Sequence, residues 1–119
     1  MIAELSTKRM QLLKEVMPPV ARVAVLWNLD TPYSDKVIEE LKAVAPSLSI
    51  ELSLVGVRTP EEIGPALTAV GRAHAQALYV VGDAMFIAHR AMIGRLAAKA
   101  RIPTIYGYTG TGWTLTMAG

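Results

Sequence analysis

Val81-Gly-Asp-Ala-Met-Phe-Ile-Ala-His-Arg90 carries the end of an apolar strand through Gly82-Asp83 straight into an amphipathic helix. That junction is the repeating unit of an open α/β sheet, and such sheets hold their ligands outside the carboxyl ends of the strands. The strand before it, Ala77-Leu-Tyr-Val-Val81, is apolar at every position, as a strand buried on both faces must be. The helix after it is expected over Met85 to Ala100.

Outward from this unit the same alternation repeats. Downstream, Ile102-Pro-Thr-Ile-Tyr106 reads as a fourth strand. A glycine-rich stretch, Gly107-Tyr-Thr-Gly-Thr-Gly112, then leads to a last strand over Trp113 to Met117. Upstream, Thr59-Pro-Glu-Glu62 supplies an N-cap, a proline for the first helical position and two carboxylates for the positive end of the helix dipole. The helix it starts runs to about Ala73. Ile50 to Val57 alternates before turning apolar, which predicts a second strand nearer the sheet edge. Val37, Ile38, Leu41 and Val44 form one helical face ending at Pro46. Arg22-Val-Ala-Val-Leu-Trp-Asn28 is the first strand, and Leu5 to Val16 is a helix closed by Pro18-Pro19.

Strands alternating with helices predict a flavodoxin-like α/β three-layer sandwich: a mainly parallel sheet of four to five strands with helices on both faces. A chain of 119 residues holds one such domain. Its 52% hydrophobic and 18% charged residues are ample for a core. The 12 basic and 10 acidic side chains are scattered without a stripe, so no nucleic-acid partner is expected. With no cysteine there is no disulfide framework, thiolate site or Cys nucleophile. The start carries no signal-like apolar core, and no apolar run reaches roughly 18 residues.

Several chemistries lack their residues. His74 and His89 have no partners at metal-ligand spacing, so no metal and no cofactor are expected. No serine sits in a nucleophile elbow. A phosphoryl-accepting regulator needs an acidic pair where Trp27-Asn28 stands, and Asn28-Leu-Asp-Thr-Pro32 has no glycine to wrap a flavin phosphate. The expectation is a non-catalytic binding domain.

Five segments, in this order, resemble one known family: Lys8-Arg-Met-Gln-Leu-Leu-Lys-Glu-Val16 with Pro18; Arg22 to Asn28; Gly82-Asp-Ala-Met-Phe86 with Arg90; Pro103-Thr-Ile-Tyr-Gly107; and the glycine-rich turn into Leu115-Thr-Met117. The chain is similar over nearly its whole length to the ABC-transporter substrate-binding proteins that include tryptophan and aromatic amino acid receptors. The resemblance implies a type 1 periplasmic binding protein, in which two flavodoxin-like lobes close on a ligand. It further implies an exported, periplasmic or membrane-anchored extracytoplasmic protein that delivers its solute to an importer permease. On that basis residues 1–119 are the second lobe alone, the first lobe and the closing helix being absent. The competing expectation is a freestanding flavodoxin-like interaction domain that forms a homodimer.

For an amino acid or related small carboxylate, the sheet rule selects Asn28, Asp30, Tyr33, Asp83, Met85, Phe86, Tyr106 and Tyr108 as ligand-binding residues on the rim. Arg58, Thr59 and Thr109 share those loops. Asp83 offers an acceptor for a ligand ammonium, or caps the helix that follows it. Phe86 is an aromatic wall or a core residue. Tyr106 and Tyr108 flank Gly107, and one of them faces the cleft. Turn formation alone also accounts for Asn28 and Asp30.

Overall fold

The computed structural model describes residues 2–107 and 114–116. In chain order the elements are α1 (Ile2–Val16), β1 (Arg22–Asn28), α2 (Pro32–Val44), β2 (Glu51–Val57), α3 (Ile63–Arg72), β3 (Ala77–Val81), α4 (Ala84–Ala88), α5 (Arg90–Lys99), β4 (Thr104–Gly107) and β5 (Thr114–Thr116). Short 3₁₀ turns at Ala45–Leu48 and Pro60–Glu62 precede β2 and α3. The strands form one sheet in the order β2-β1-β3-β4-β5. The first four are parallel, and β5 runs antiparallel to β4.

Strand alternation divides the core in two. Val23 and Val25 of β1, Ala77, Tyr79 and Val81 of β3, and Ile105 of β4 pack against Met10 and Leu13 of α1 and Val37, Ile38 and Leu41 of α2. The intervening residues Ala24, Leu26, Leu78, Val80 and Tyr106 pack against Ile63, Leu67 and Val70 of α3, Phe86 of α4 and Ile93 of α5. This is the three-layer arrangement that the continuous apolar runs of β1 and β3 require. Each fully buried branched side chain in it contributes about 1.5–3 kcal/mol.

Among the described residues β2 pairs only with β1, which leaves its outer edge open, with Leu54 38% exposed. Its alternating sequence therefore reflects an edge position, since only one flank of the strand is covered. At the opposite rim from the strand carboxyl ends, Gln76 Oε1 accepts the Ala21 and Arg22 N–H groups at 2.7 and 2.9 Å, tying the start of β1 to the approach to β3.

Two elements differ from the sequence expectation. α2 begins at Pro32, a full turn before its first core residue, because proline fits the first helical position. The helix expected unbroken over Met85 to Ala100 is two helices, divided at His89, whose φ of −112° and ψ of 20° leave the helical region. Both the His89 N–H (3.2 Å) and its ring Nδ1 (2.9 Å) lie on the Met85 carbonyl, a side-chain bond that competes with continuation of the ladder.

Candidate functional site

The sheet order places a crossover reversal between β1 and β3. The chain leaves β1 toward the α1/α2 face and leaves β3 toward the α3/α5 face, so their loops diverge at the strand carboxyl ends, the position of the ligand crevice in open sheets of this kind. Asp83 stands at this crevice. Its backbone is extended (φ −161°, ψ 144°), and it is the N-cap of α4, accepting the Met85 N–H on Oδ2 at 3.0 Å. The same Oδ2 accepts Asn28 Nδ2 at 3.0 Å, and Oδ1 accepts the Thr31 hydroxyl at 2.5 Å. Three donors, from the end of β1, the loop after it and the first turn of α4, thus orient one half-buried carboxylate. Hydrogen bonds to an ionised acceptor are the stronger kind, so this is a preorganised negative centre.

Asn28 is the link between the two loops. While its amide donates to Asp83, its Oδ1 accepts the Asp30 N–H at 2.9 Å, which closes the turn after β1. Asp30 lies outside the cluster, in a 3.2 Å bond to Arg58 Nε with the two side chains 62% and 64% exposed (Arg58 and Asp30 respectively), a pairing that solvent weakens. Arg58 and Thr59 donate their backbone N–H groups to Glu62 Oε1 at 2.5 and 3.2 Å. Those two bonds, the Arg58 bond foremost, hold the Glu62 carboxyl below its ordinary range.

The apolar candidates separate by burial. Met85 is half-buried at the rim, whereas Phe86 is fully buried among the residues under α3 and α5 and supports α4 from beneath. Tyr106 points to that same layer, 8% exposed, its hydroxyl 3.6 Å from where a Cβ on Gly94 of α5 would sit. Burial pushes the Tyr106 hydroxyl up from its ordinary value. Tyr33 lies in the first turn of α2, but its side chain, like the whole of Tyr108 and Thr109, falls outside the described residues.

Three features were not picked out from the sequence. Thr31 reads as a turn residue before proline, and its partner lies 52 positions away, so no local pattern marks it. Leu29, in the turn after β1, and Ile87, in α4, expose 36% and 37% of their surface, and Leu29 folds over Gly56, where a Cβ would come within 2.5 Å of it. Four buried polar atoms have no partner among the described residues: Arg9 Nε, Trp27 Nε1, Ser34 Oγ and Tyr79 OH. All four belong to α1, to α2 or to strand positions facing them. Also among the described residues, no three His, Asp or Glu side chains gather to hold a metal ion, and no helix is long and apolar enough to cross a membrane.

Solved structures share this architecture. A substrate binding protein with adhesive properties from Clostridium difficile, in its ligand-free, open form, superposes with a TM-score of 0.76 at 22% identity, covering 83% of this chain and 33% of that one. An ABC domain from Streptococcus pneumonia in complex with L-Trp gives 0.79 at 19% identity, covering 85% and 35%. A conserved domain protein from Vibrio cholerae gives 0.80 at 20% identity, covering 87% and 35%. The chain spans about a third of the length of these structures. No curated protein matches it. Residues 3–111 match the sequence profile described as ABC transporter substrate binding protein, which is most of the chain. The chain belongs to the ABC transporter substrate binding protein family.

Proposed function

We propose that this chain is one lobe of a two-lobe solute receptor for an ABC importer, and that its solute is an amino acid or a related small carboxylate held at the carboxyl ends of β1 and β3. The observation that carries this reading is the Asp83 carboxylate, fixed by Asn28, Thr31 and the Met85 N–H at the crevice where the β1 and β3 loops diverge. A fixed anion needs no reorganisation to receive a ligand ammonium, which favours binding. Asn28, Asp30, Tyr33, Met85 and Tyr108 are the proposed neighbours of the solute. Phe86 and Tyr106 act from below by holding α4, α5 and the end of β4 in place. The L-Trp in the Streptococcus pneumonia structure supports an amino acid as the solute class.

In this reading the second lobe closes over the bound solute, and a permease reads the closed form. The protein then works outside the cytoplasm, in the periplasm or anchored at the membrane surface, and performs no catalysis. The test is calorimetric titration of the natural full-length protein with each of the twenty amino acids and with a set of related small carboxylates. One or a few should bind, and Asp83→Asn should weaken that binding by at least tenfold, the worth of a charged hydrogen bond. Absence of binding to every member of the panel would remove the reading.

The open edge of β2 and exposed Leu54 favour a second reading, a self-associating interaction domain. It predicts a concentration-dependent dimer in light scattering that Leu54→Lys abolishes.

A further inference from the structure

Thr31 is the N-cap of α2, with φ −97° and ψ 111°. At that position a threonine hydroxyl ordinarily accepts an N–H from the first helical turn and stabilises the helix start. Thr31 makes no such side-chain bond. The Ser34 N–H goes to the Thr31 backbone carbonyl at 3.0 Å, and the hydroxyl is turned across the crevice to donate to Asp83 Oδ1 at 2.5 Å. Asp83 does the reverse at its own helix. Its Oδ2 carries both the capping bond from Met85 and the bond from Asn28, and Oδ1 has Thr31 as its partner.

We infer that Thr31 is a positioning residue for solute binding, which holds Asp83 Oδ1 in place and makes the crevice selective for a primary ammonium group. The inference rests on the solute-receptor reading above and deepens it. A hydroxyl has one proton to donate and two lone pairs to accept with. Once the proton of Thr31 is committed to Asp83, its oxygen can offer the crevice only lone pairs. Asp83 Oδ1 retains a lone pair as well. The two oxygens are half-buried and adjacent, on opposite walls of the crevice, and together form an acceptor-only pair. An ammonium with three N–H donors satisfies both. A neutral hydroxyl satisfies one at most, and a carboxylate is repelled. Helix capping forgone at Thr31 is consistent with this use, because a purely structural threonine would turn its hydroxyl inward to α2.

The experiment compares Thr31→Val, Thr31→Ser, Asp83→Asn and the Thr31→Val/Asp83→Asn double variant of the natural full-length protein. The probe is whichever of the twenty amino acids the unaltered protein binds best by calorimetry. Thr31→Val should weaken that binding about tenfold, from the loss of a hydrogen bond to a charged group. Thr31→Ser should restore it, and in the Asp83→Asn background Thr31→Val should cost nothing further. Thr31→Val loses the bond to Asp83 but no cap bond, so whatever its melting temperature loses should be recovered in Thr31→Ser. Unchanged affinity in Thr31→Val while Asp83→Asn weakens binding overturns the role of Thr31 alone. So does a loss of affinity matched by a lowered melting temperature that serine does not rescue. If Asp83→Asn binds as well as the unaltered protein, or if neither an amino acid nor a related small carboxylate binds, the receptor reading fails and the inference falls with it; a carboxylate that binds where no amino acid does overturns the ammonium selectivity alone.

Discussion

Tyr79 places a phenol hydroxyl in the middle of the β3 core, fully buried and without a hydrogen-bond partner among the described residues. A Cβ on Gly107 would lie 3.2 Å from that hydroxyl and 3.2 Å from the Val80 carbonyl oxygen, so glycine is what lets the end of β4 close over it. An unsatisfied buried hydroxyl costs about 1–3 kcal/mol, whereas a phenylalanine of the same shape carries no such cost. Tyr79→Phe should therefore raise stability by about 1 kcal/mol, seen as a higher urea midpoint. A lowered midpoint would show that the hydroxyl is bonded after all. Glu62 tests electrostatics at the same scale. Its folded-state pKa lies below the ordinary 4.5 because the Arg58 and Thr59 N–H groups stabilise the anion. The sign follows from linkage: this contribution is fully present above 4.5 and disappears as the pH falls through the depressed folded value. The stability advantage over Glu62→Gln should accordingly be largest at neutral pH and vanish in acid, and a difference independent of pH would disprove that origin. Asp83 was legible as a residue with two possible jobs, and in the structure its capping bond and its contacts to the β1 loop coexist on one carboxylate. Thr31 was not legible, because its hydroxyl could choose between its own helix and a carboxylate far away in sequence, and only the folded chain brings the second option within reach.

Three helix-to-strand connections share one geometry at the level of elements. Ser49, His74 and Arg101 each follow a helix or 3₁₀ turn with φ of 56°, 60° and 59°. Each is followed by a residue whose N–H reaches back to close the helix end: Ile50 to Ala45 O at 3.0 Å, Ala75 to Val70 O at 3.4 Å and Ile102 to Ala97 O at 2.9 Å. This six-to-one bond with a left-handed residue inside it is the arrangement that glycine usually serves. None of the three is glycine, so these helix ends carried no glycine punctuation and had to be read from the spacing of apolar residues. A non-glycine residue in this region costs about 1–2 kcal/mol, part of which glycine returns as unfolded-state entropy. Arg101→Gly, at an exposed position, should stabilise the protein by about 0.5–1 kcal/mol in chemical denaturation. A loss would mean that the arginine makes a contact worth more than the strain. The division of α4 from α5 had the same kind of illegibility. Met85, Ile87 and Ile93 suit one helix or two, and the deciding bond from the His89 ring to the Met85 carbonyl is a side-chain choice that periodicity does not record.

At the scale of the whole sheet, burial rises from the β2 edge inward to β1 and β3, and the sequence carried that gradient. Every residue of β3 is buried, and it is flanked by β1 and β4; β1 is buried from Val23 to Leu26 and flanked by β2 and β3. β2 has one neighbour and only Val57 fully buried. The uninterrupted apolar runs of β1 and β3 and the alternation of β2 were therefore readable as centre and edge, because each pattern follows from how many flanks a strand must cover. The direction of β5 was not readable: three residues pair antiparallel with β4, and so short a segment carries no pattern that distinguishes the two senses. The same gradient governs dynamics, since amides open locally at a cost set by how much structure must be disrupted around them. Native-state hydrogen exchange should find the β3 and β1 amides exchanging only through global unfolding, and the outward-facing amides of β2 exchanging fastest among the parallel strands. The Asn28 and Asp83 loops should then sit on the best-protected part of the molecule, so that the crevice is held rigid while the periphery moves. Protection of β2 equal to that of β3 would show that the open edge is covered in solution, which is the outcome self-association through β2 requires.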